Sequence, residues 1–397
     1  MKGKNIVLGV TGGIAAYKAV ELLRLLTRGG ADVHVIMTGS AMEFVTSLTF
    51  QTLSMNPVST SLFNLLSERE IGHISLADRA DLVIIAPATA NIIGKLANGI
   101  ADDMLTTTVM ASRAPILIAP AMNVNMYQNP AYKENEAKLK SRGVLFVEPV
   151  KGLLACGWEG EGKLQEPEVI FEEAQTALAA KDLAGERLLV TAGPTREELD
   201  PVRFISNHSS GKMGYAIARA ARRRGAEVTL VTGPTSLPEP HGVVAVPVVS
   251  ALEMREAVIG HARQSTIIIK AAAVADYRPA LRADMKIKKG DAPETLQLER
   301  NPDILEELGK SKGKFLLIGF AAETDDLLKN ARKKIKEKNL DMVVANDVSK
   351  AGAGFNVDTN IVKLIFRGGR VEELPIMGKE ELADVILDRV AGMRTSR

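Results

Sequence analysis

Apolar residues in this chain come in short unbroken runs separated by Ala- and Leu-rich stretches of helical period. In the first half the runs are Ile6–Val10, Val33–Met37, Leu82–Ala86, Ile116–Ala119 and Val144–Val147. Helical patterns lie between them, notably Ile14–Arg28 and Ala131–Ser141, and Glu168–Ala180 closes the series. Strands alternating with helices predict a parallel sheet covered on both faces. A polar break, Lys181–Glu186, then interrupts the pattern and marks a domain boundary, giving domains 1–185 and 186–397. The second half repeats the scheme with strands Leu188–Ala192, Val228–Val231, Ile267–Ala271, Phe315–Gly319, Met342–Ala345 and Ile361–Ile365. Leu281–Gln297 is rich in Lys, Asp and Gly with little periodicity, and reads as a mobile functional loop.

The two halves also open alike. NIVLGVTGGIAAYKAVELLRLLTRGGADVHVIMTGS (Asn5–Ser40) and RLLVTAGPT with SSGKMGYAIARAARRRGAEVTLVTGPT (ending at Thr235) both run strand, glycine loop, helix, glycine stop and strand. Each loop offers backbone amides and a helix N-terminus to a phosphate. The expected fold is therefore α/β, with two doubly wound parallel-sheet (Rossmann/flavodoxin-like) domains in tandem. A tandem nicotinamide-dependent dehydrogenase is the obvious rival. That site needs GxGxxG and an acidic residue about twenty positions on. Here the first loop is Gly9-Val-Thr-Gly-Gly-Ile14, and the second strands end in Thr38-Gly39-Ser40 and Thr232-Gly233-Pro234. Hydroxyls and glycine amides suit a terminal phosphate, so each half leans towards a mononucleotide.

Composition agrees. Aromatic residues are only 4% against 46% hydrophobic, so Ala, Val, Ile and Leu must build both cores. A net charge of +2 argues against nucleic acid as a main partner. The clusters Lys286, Lys288, Lys289 and Arg332–Lys338 better match a small polyanion. No apolar run is long enough to span a membrane, and Met1 leads through two lysines into a strand, so a cytoplasmic location is expected. The single cysteine, Cys156, excludes an intrachain disulfide. Taken alone it reads as an inert core residue, yet it sits in the glycine-punctuated GLLACGWEGEGKL.

Ligands in such sheets lie beyond the carboxyl ends of the strands. In the first half these ends carry Gly12-Gly13, Ser40, APATAN (Ala86–Asn91) and APAMNVNMY (Ala119–Tyr127). His73 precedes the third strand; alone it reads as a surface or capping histidine, and Asn123 alone as a turn residue. PAMNVNMY resembles the P-x-M-N-x-x-M-W motif of the flavin-containing cysteine decarboxylases, with Tyr127 in the place of Trp. ACGWEGEGKL resembles the substrate clamp of the phosphopantothenoylcysteine decarboxylases, and GGIAAYK and PATANIIGKLANGIADD fit the same family over Lys4–Pro167. The resemblance implies FMN held by Gly12, Gly13, Ser40, Ala88, Thr89 and Asn91. It further implies His73 as the base for thiol oxidation, Asn123 as holder of the substrate carboxylate, and Cys156 as proton donor in the final reduction.

The second half carries TAGPTREELDPVRFISNHSSGKMG (Thr191–Gly214), KAAAVADY (Lys270–Tyr277), KIKK (Lys286–Lys289), NPDIL (Asn301–Leu305), GFAAET (Gly319–Thr324) and ANDVS (Ala345–Ser349). Alone, KIKK is a solvated charge run. Together these motifs resemble the phosphopantothenate–cysteine ligase domain over Gly185 to about Val390. That resemblance implies a CTP-dependent, acyl-cytidylate-forming ligase with Lys286 neutralising phosphate charge and Asn207 orienting the acyl intermediate. Asp276, Pro302, Asp303, Ile304, Leu305, Phe320, Lys334 and Lys338 would line the nucleotide. Mg2+ is expected with the triphosphate, its ligands unknown, and the residues alone leave CTP and ATP both open. The two halves together resemble the bifunctional bacterial coenzyme A biosynthesis proteins, which implies a homo-oligomer, a dodecamer of decarboxylase trimers and ligase dimers. A flavin-binding regulatory subunit is the non-enzymatic rival, disfavoured because both the histidine and the cysteine flap are present.

Overall fold

The computed structural model describes residues 1–62, 72–153, 157–288, 295–323, 327–347 and 357–395. They form two compact units, Met1–Ala179 and Ala180–Arg397.

Unit 1 runs β1 (Asn5–Val10), α1 (Ala16–Arg28), β2 (Asp32–Met37), α2 (Gly39–Met42), α3 (Ser47–Ser54), α4 (Gly72–Arg79) and β3 (Leu82–Ala88). It continues through α5 (Ala90–Asn98), α6 (Met104–Ala111), β4 (Ile116–Pro120), α7 (Val124–Gln128), α8 (Pro130–Ser141), β5 (Leu145–Phe146), β6 (Val150–Leu153), β7 (Glu159–Lys163) and α9 (Pro167–Leu178). The main sheet has the order β2-β1-β3-β4-β5, parallel throughout. Ile6, Leu8 and Val10 pack on one face with Leu22, Leu23 and Leu26 of α1 and Ile170 and Ala174 of α9. Val7, Val83 and Ile85 pack on the other with Ile92 and Ile93 of α5 and Leu105 of α6. Coverage on both faces is why these strands read as unbroken apolar runs. The chain builds β2 on one side of β1 and then returns to place β3 on the other. That reversal opens a crevice beyond the carboxyl ends of β1 and β3.

Unit 2 runs β8 (Arg187–Ala192), β9 (Glu197–Glu198), β10 (Phe204–Ile205), α10 (Lys212–Arg223), β11 (Glu227–Thr232), β12 (Val244–Pro247), α11 (Ala251–Ala262) and β13 (Ile267–Lys270). Next come β14 (Tyr277–Pro279), β15 (Leu298–Arg300), α12 (Ile304–Lys310), β16 (Leu316–Glu323), α13 (Leu327–Glu337) and β17 (Met342–Asp347). The unit ends with β18 (Thr359–Asn360), β19 (Val362–Phe366), β20 (Val371–Glu373), β21 (Met377–Gly378) and α14 (Lys379–Thr395). Its large sheet has the order β12-β11-β8-β13-β16-β17-β19-β20. The expected parallel architecture extends from β12 to β17. The last predicted strand, β19, instead pairs antiparallel with β17 and forms a hairpin with β20. Antiparallel edges of this kind are common on otherwise parallel sheets. The same reversal of strand order falls between β8 and β13, so this unit too has its crevice at the strand ends.

Candidate functional site

In unit 1 three loops converge on the crevice. Thr11 follows β1; its Oγ1 donates to the Pro87 carbonyl at 2.7 Å and accepts the Thr89 amide at 3.1 Å. Those two bonds tie the loop after β1 to the loop after β3. A Cβ on Gly12 would sit 2.3 Å from Ser40 Cβ, so only glycine lets the loops after β1 and β2 meet. Thr89 caps α5 through the Ile92 amide, and Ala88 is fully buried just before it. Gly12, Gly13, Ser40, Ala88 and Thr89 are thus gathered together. Asn91 stands exposed on the first turn of α5. At Gly13 an added Cβ would meet nothing closer than Thr89 Cγ2 at 3.9 Å, so the glycine loop keeps open space beside the Thr89 side chain, a setting that suits the phosphate end of a flavin mononucleotide.

Asn123 caps α7, its Oδ1 accepting the Asn125 amide at 2.9 Å. The β6–β7 hairpin is seated on this turn: the Met122 amide donates to the Gly162 carbonyl at 2.9 Å. Gly162 has φ +138°, and a Cβ there would lie 2.3 Å from the Met122 carbonyl oxygen, so contact this close requires glycine. Cys156 belongs to the connection between β6 and β7 and lies outside the described residues. His73 occupies the first turn of α4, with Nδ1 buried and without a hydrogen-bond partner. A buried polar atom left unpaired costs about 1–3 kcal/mol, which is tolerable where a ligand completes it.

Tyr127, which replaces the Trp of the motif, is buried with its Oη donating to Glu148 Oε2 at 2.9 Å. Burial, then Glu148, push its ionisation well above the usual tyrosine range, so it remains a donor. Lys133 Nζ lies 3.4 Å from the ring centroid. Tyr127→Phe should therefore keep the ring packing and lose one hydrogen bond, about 1 kcal/mol. The check is the melting midpoint followed by flavin release, and an unchanged midpoint would assign the bond no net contribution.

In unit 2 a cleft of ≈ 960 Å³ opens at the carboxyl ends of the strands. Asn207, Asp276, Pro302, Asp303, Ile304, Leu305, Phe320, Lys334 and Lys338 all line it. Asn207 is fixed by its Nδ2, which donates to the Ala273 carbonyl at 2.6 Å, and by its Oδ1, which accepts the Ser209 amide at 3.0 Å. Asp303 caps α12 and pairs with Lys338, which together with the cap holds its carboxyl below the usual range against the effect of burial. Lys338 lies just beyond α13, but its amide still donates to the Lys334 carbonyl, so the two lysines share one helical face. The walls hold two basic groupings: Lys212 and Lys379 near the α10 N-terminus, and Lys270, Lys334 and Lys338 near α12 and α13. A polyanionic nucleotide fits this charge. Among the described residues no group of three His, Cys, Asp or Glu is gathered to hold a metal ion.

Lys286 is not brought to the cleft wall; it is exposed on the Leu281–Lys288 segment. That segment is nevertheless docked. The Ile287 amide donates to Asp200 Oδ2 at 3.1 Å, Arg203 Nη2 donates to the Ile287 carbonyl at 2.9 Å, and the Ala283 amide donates to the Leu199 carbonyl at 2.9 Å. The Asp200 carboxyl is held well below its usual range by the Arg203 guanidinium and by three backbone amides. Lys289, Thr324, Val348 and Ser349, the remainder of the quoted motifs, lie outside the described residues.

Residues 1–178 match the family model described as Flavoprotein, and residues 183–393 match DFP, the DNA/pantothenate metabolism flavoprotein C-terminal domain. The chain is 53% identical to the coenzyme A biosynthesis bifunctional protein CoaBC of Bacillus subtilis (strain 168), covering 99% of this chain and 98% of that one. It is 48% identical to the protein of the same name from Escherichia coli (strain K12), covering 98% and 97% respectively. The chain belongs to the coenzyme A biosynthesis bifunctional protein family. A solved structure of the C-terminal domain of such a protein is similar at 48% identity and a TM-score of 0.48, over 55% of this chain and 100% of that chain. The flavoprotein half is amino-terminal and the DFP half carboxy-terminal, as the motifs implied. Motif reading missed the lysines at Lys212, Lys270 and Lys379. Only Lys270 carried a signal, since a lysine ending the buried run Ile267–Ile269 breaks its apolar pattern.

Proposed function

We propose that the carboxy-terminal unit joins 4′-phosphopantothenate to L-cysteine with CTP, and that the amino-terminal unit decarboxylates the product to 4′-phosphopantetheine with FMN. Order in the chain is the reverse of order in the reaction sequence. The observation that carries the reading is the cleft, which gathers every ligase residue named from the motifs except Lys286. In the ligase step a carboxylate oxygen attacks the α-phosphorus of CTP and pyrophosphate leaves. The amine of cysteine then attacks the acyl carbon, expelling CMP and losing a proton. Asn207 orients the acyl group. The lysines of the cleft and Lys286 offset charge that grows on the phosphates. Mg2+ is expected to arrive with the triphosphate, and no step is assigned through protein ligands to it.

In the decarboxylase the flavin supplies a reversible two-electron sink, because a cysteine amide alone has nowhere to place the electrons left by CO2. Gly12, Gly13, Ser40, Ala88, Thr89 and Asn91 hold that cofactor. His73 accepts the proton released as the thiol is oxidised. Asn123 holds the departing carboxylate, and Cys156 returns a proton in the last reduction. Cys156→Ser should thus still release CO2 but accumulate the oxidised enethiol, detected by mass spectrometry; normal product would remove the donor role. One assay tests the whole reading: phosphopantothenate and cysteine with CTP or ATP, following pyrophosphate and CO2. Failure with both nucleotides would defeat it, and turnover with ATP alone would correct the nucleotide.

A cytoplasmic homo-oligomer with trimeric decarboxylase and dimeric ligase contacts, a dodecamer, completes the proposal. Among the described residues no helix is long and apolar enough to cross a membrane. Ile14, Tyr17, Phe44 and Leu48 of unit 1 are at least half exposed, as an assembly surface would need.

A further inference from the structure

The ligase cleft contains a lysine that the motifs did not assign. Lys270 ends β13, beside Thr191 of β8 and Gly319 of β16, at the reversal of strand order. Side chains alternate along the strand: Ile267 and Ile269 enter one core and Ile268 the other. Lys270 therefore follows Ile268 towards the face covered by α12 and α13. There it is half-buried and lines the cleft. The charged groups around it come from α12, from the end of α13 and from the segment after β13. Asp303 caps α12, Asp276 follows β13, Lys334 belongs to the last turn of α13, and Lys338 lies just beyond it. Asp303 is already paired with Lys338. Lys270 itself makes no ion pair with a carboxylate among the described residues.

A half-buried cation beside two other ammonium groups, with Asp303 already engaged by Lys338, is costly to an empty protein. An anionic ligand in the same cleft removes that cost. We propose that Lys270 is a further nucleotide-binding residue of the ligase, a strand-borne ammonium that is completed by the bound nucleoside triphosphate and takes up a proton with it. The inference rests on the ligase reading above. Burial, then repulsion by Lys338 and Lys334, bring the Lys270 ionisation down to about 8 despite Asp303 and Asp276. Bound phosphates would raise it again. Below pH 8 Lys270 is charged in the free and the bound protein, and affinity is level. Above pH 8 the free protein loses the proton while the complex keeps it, so affinity falls as pH rises.

The experiment uses the full-length protein with CTP as the probe. Calorimetric affinities are measured at pH 7, 8 and 9 for the wild type, Lys270→Met and Lys270→Arg. Decarboxylation of preformed 4′-phospho-N-pantothenoylcysteine serves as the folding control. Wild type should bind about tenfold more weakly at pH 9 than at pH 7, the ratio expected for one group titrating near 8. Lys270→Met should bind weakly throughout with a nearly flat profile, and Lys270→Arg should retain affinity and also lose the pH dependence. The nucleotide-free Lys270→Met protein should melt at a higher temperature, because an uncompensated half-buried charge has gone. A lysine with a purely structural role would show the opposite, a lower melting temperature. Equal affinities and pH profiles for wild type and Lys270→Met would overturn the inference while leaving the ligase reading intact. Absence of CTP binding by the wild type would overturn both.

Discussion

His73→Asn should keep the flavin and lose CO2 release. Asparagine retains a planar polar group of similar reach but cannot accept and hold a proton near neutral pH. If His73 takes the proton as the substrate thiol is oxidised, turnover of 4′-phospho-N-pantothenoylcysteine should fall by about 10²–10⁴-fold, the usual contribution of a positioned base. The visible flavin spectrum should remain, since Gly12, Ser40 and Thr89, proposed to hold the flavin, are brought together without this side chain. The orphaned, buried Nδ1 of His73 gives the prediction its structural basis: an imidazole held in that state awaits a partner. Ligase activity, measured as pyrophosphate release, should be unchanged. Undiminished decarboxylation would defeat the base assignment, and loss of flavin together with activity would make His73 a cofactor-binding residue instead.

The sheet strands were legible because parallel strands are buried on both faces, so Ile6–Val10 and Ile267–Ile269 stand out as apolar runs. Elements whose stability comes from elsewhere were not. β12 (Val244–Pro247) is an edge strand of four residues with exposed and half-buried positions, which periodicity cannot register. The β6–β7 hairpin is rich in glycine, and its place is set by close backbone approach to Met122, not by side-chain pattern. α2 to α4 are short, four to eight residues each. The direction of β19 was also hidden, since an apolar run does not say whether a strand pairs parallel or antiparallel.

The site divides the same way. Thr89, Asn123, Asn207 and Asp303 were singled out through motifs that resemble known families, and the fold uses each of them as a cap or tie at a strand end or helix start. The basic lining contributed by Lys212 and Lys379 was not singled out, because those residues meet only through topology: one begins α10 and the other begins α14. Both units place their polar residues at the one point where strand order reverses. Two copies of one architectural solution thereby offer two crevices, with the chemistry of each set by what the loops carry.

Lys286→Gln should cripple the ligase and spare the decarboxylase. The lysine is exposed, so its replacement removes charge without opening a core. Its backbone, in contrast, is held: Ile287 is bonded through both its amide and its carbonyl to Asp200 and Arg203. An anchored backbone beside a free, long, cationic side chain is a suitable arrangement for delivering charge to phosphates that are absent until substrate binds. Removing a donor that stabilises charge developing in the transition state costs about 10²–10³ in turnover. The loss should appear in kcat for pyrophosphate release more than in KM for CTP, because the cleft lysines still hold the nucleotide. Lys288→Gln, on the same segment, should remain close to wild type and so separates a specific role from general loss of basic charge. CO2 release from preformed 4′-phospho-N-pantothenoylcysteine should be unaffected by either change, since the two activities reside on separately folded units. Equal loss in both assays would contradict that separation, and a purely KM effect would place Lys286 in ground-state binding instead of the reaction itself.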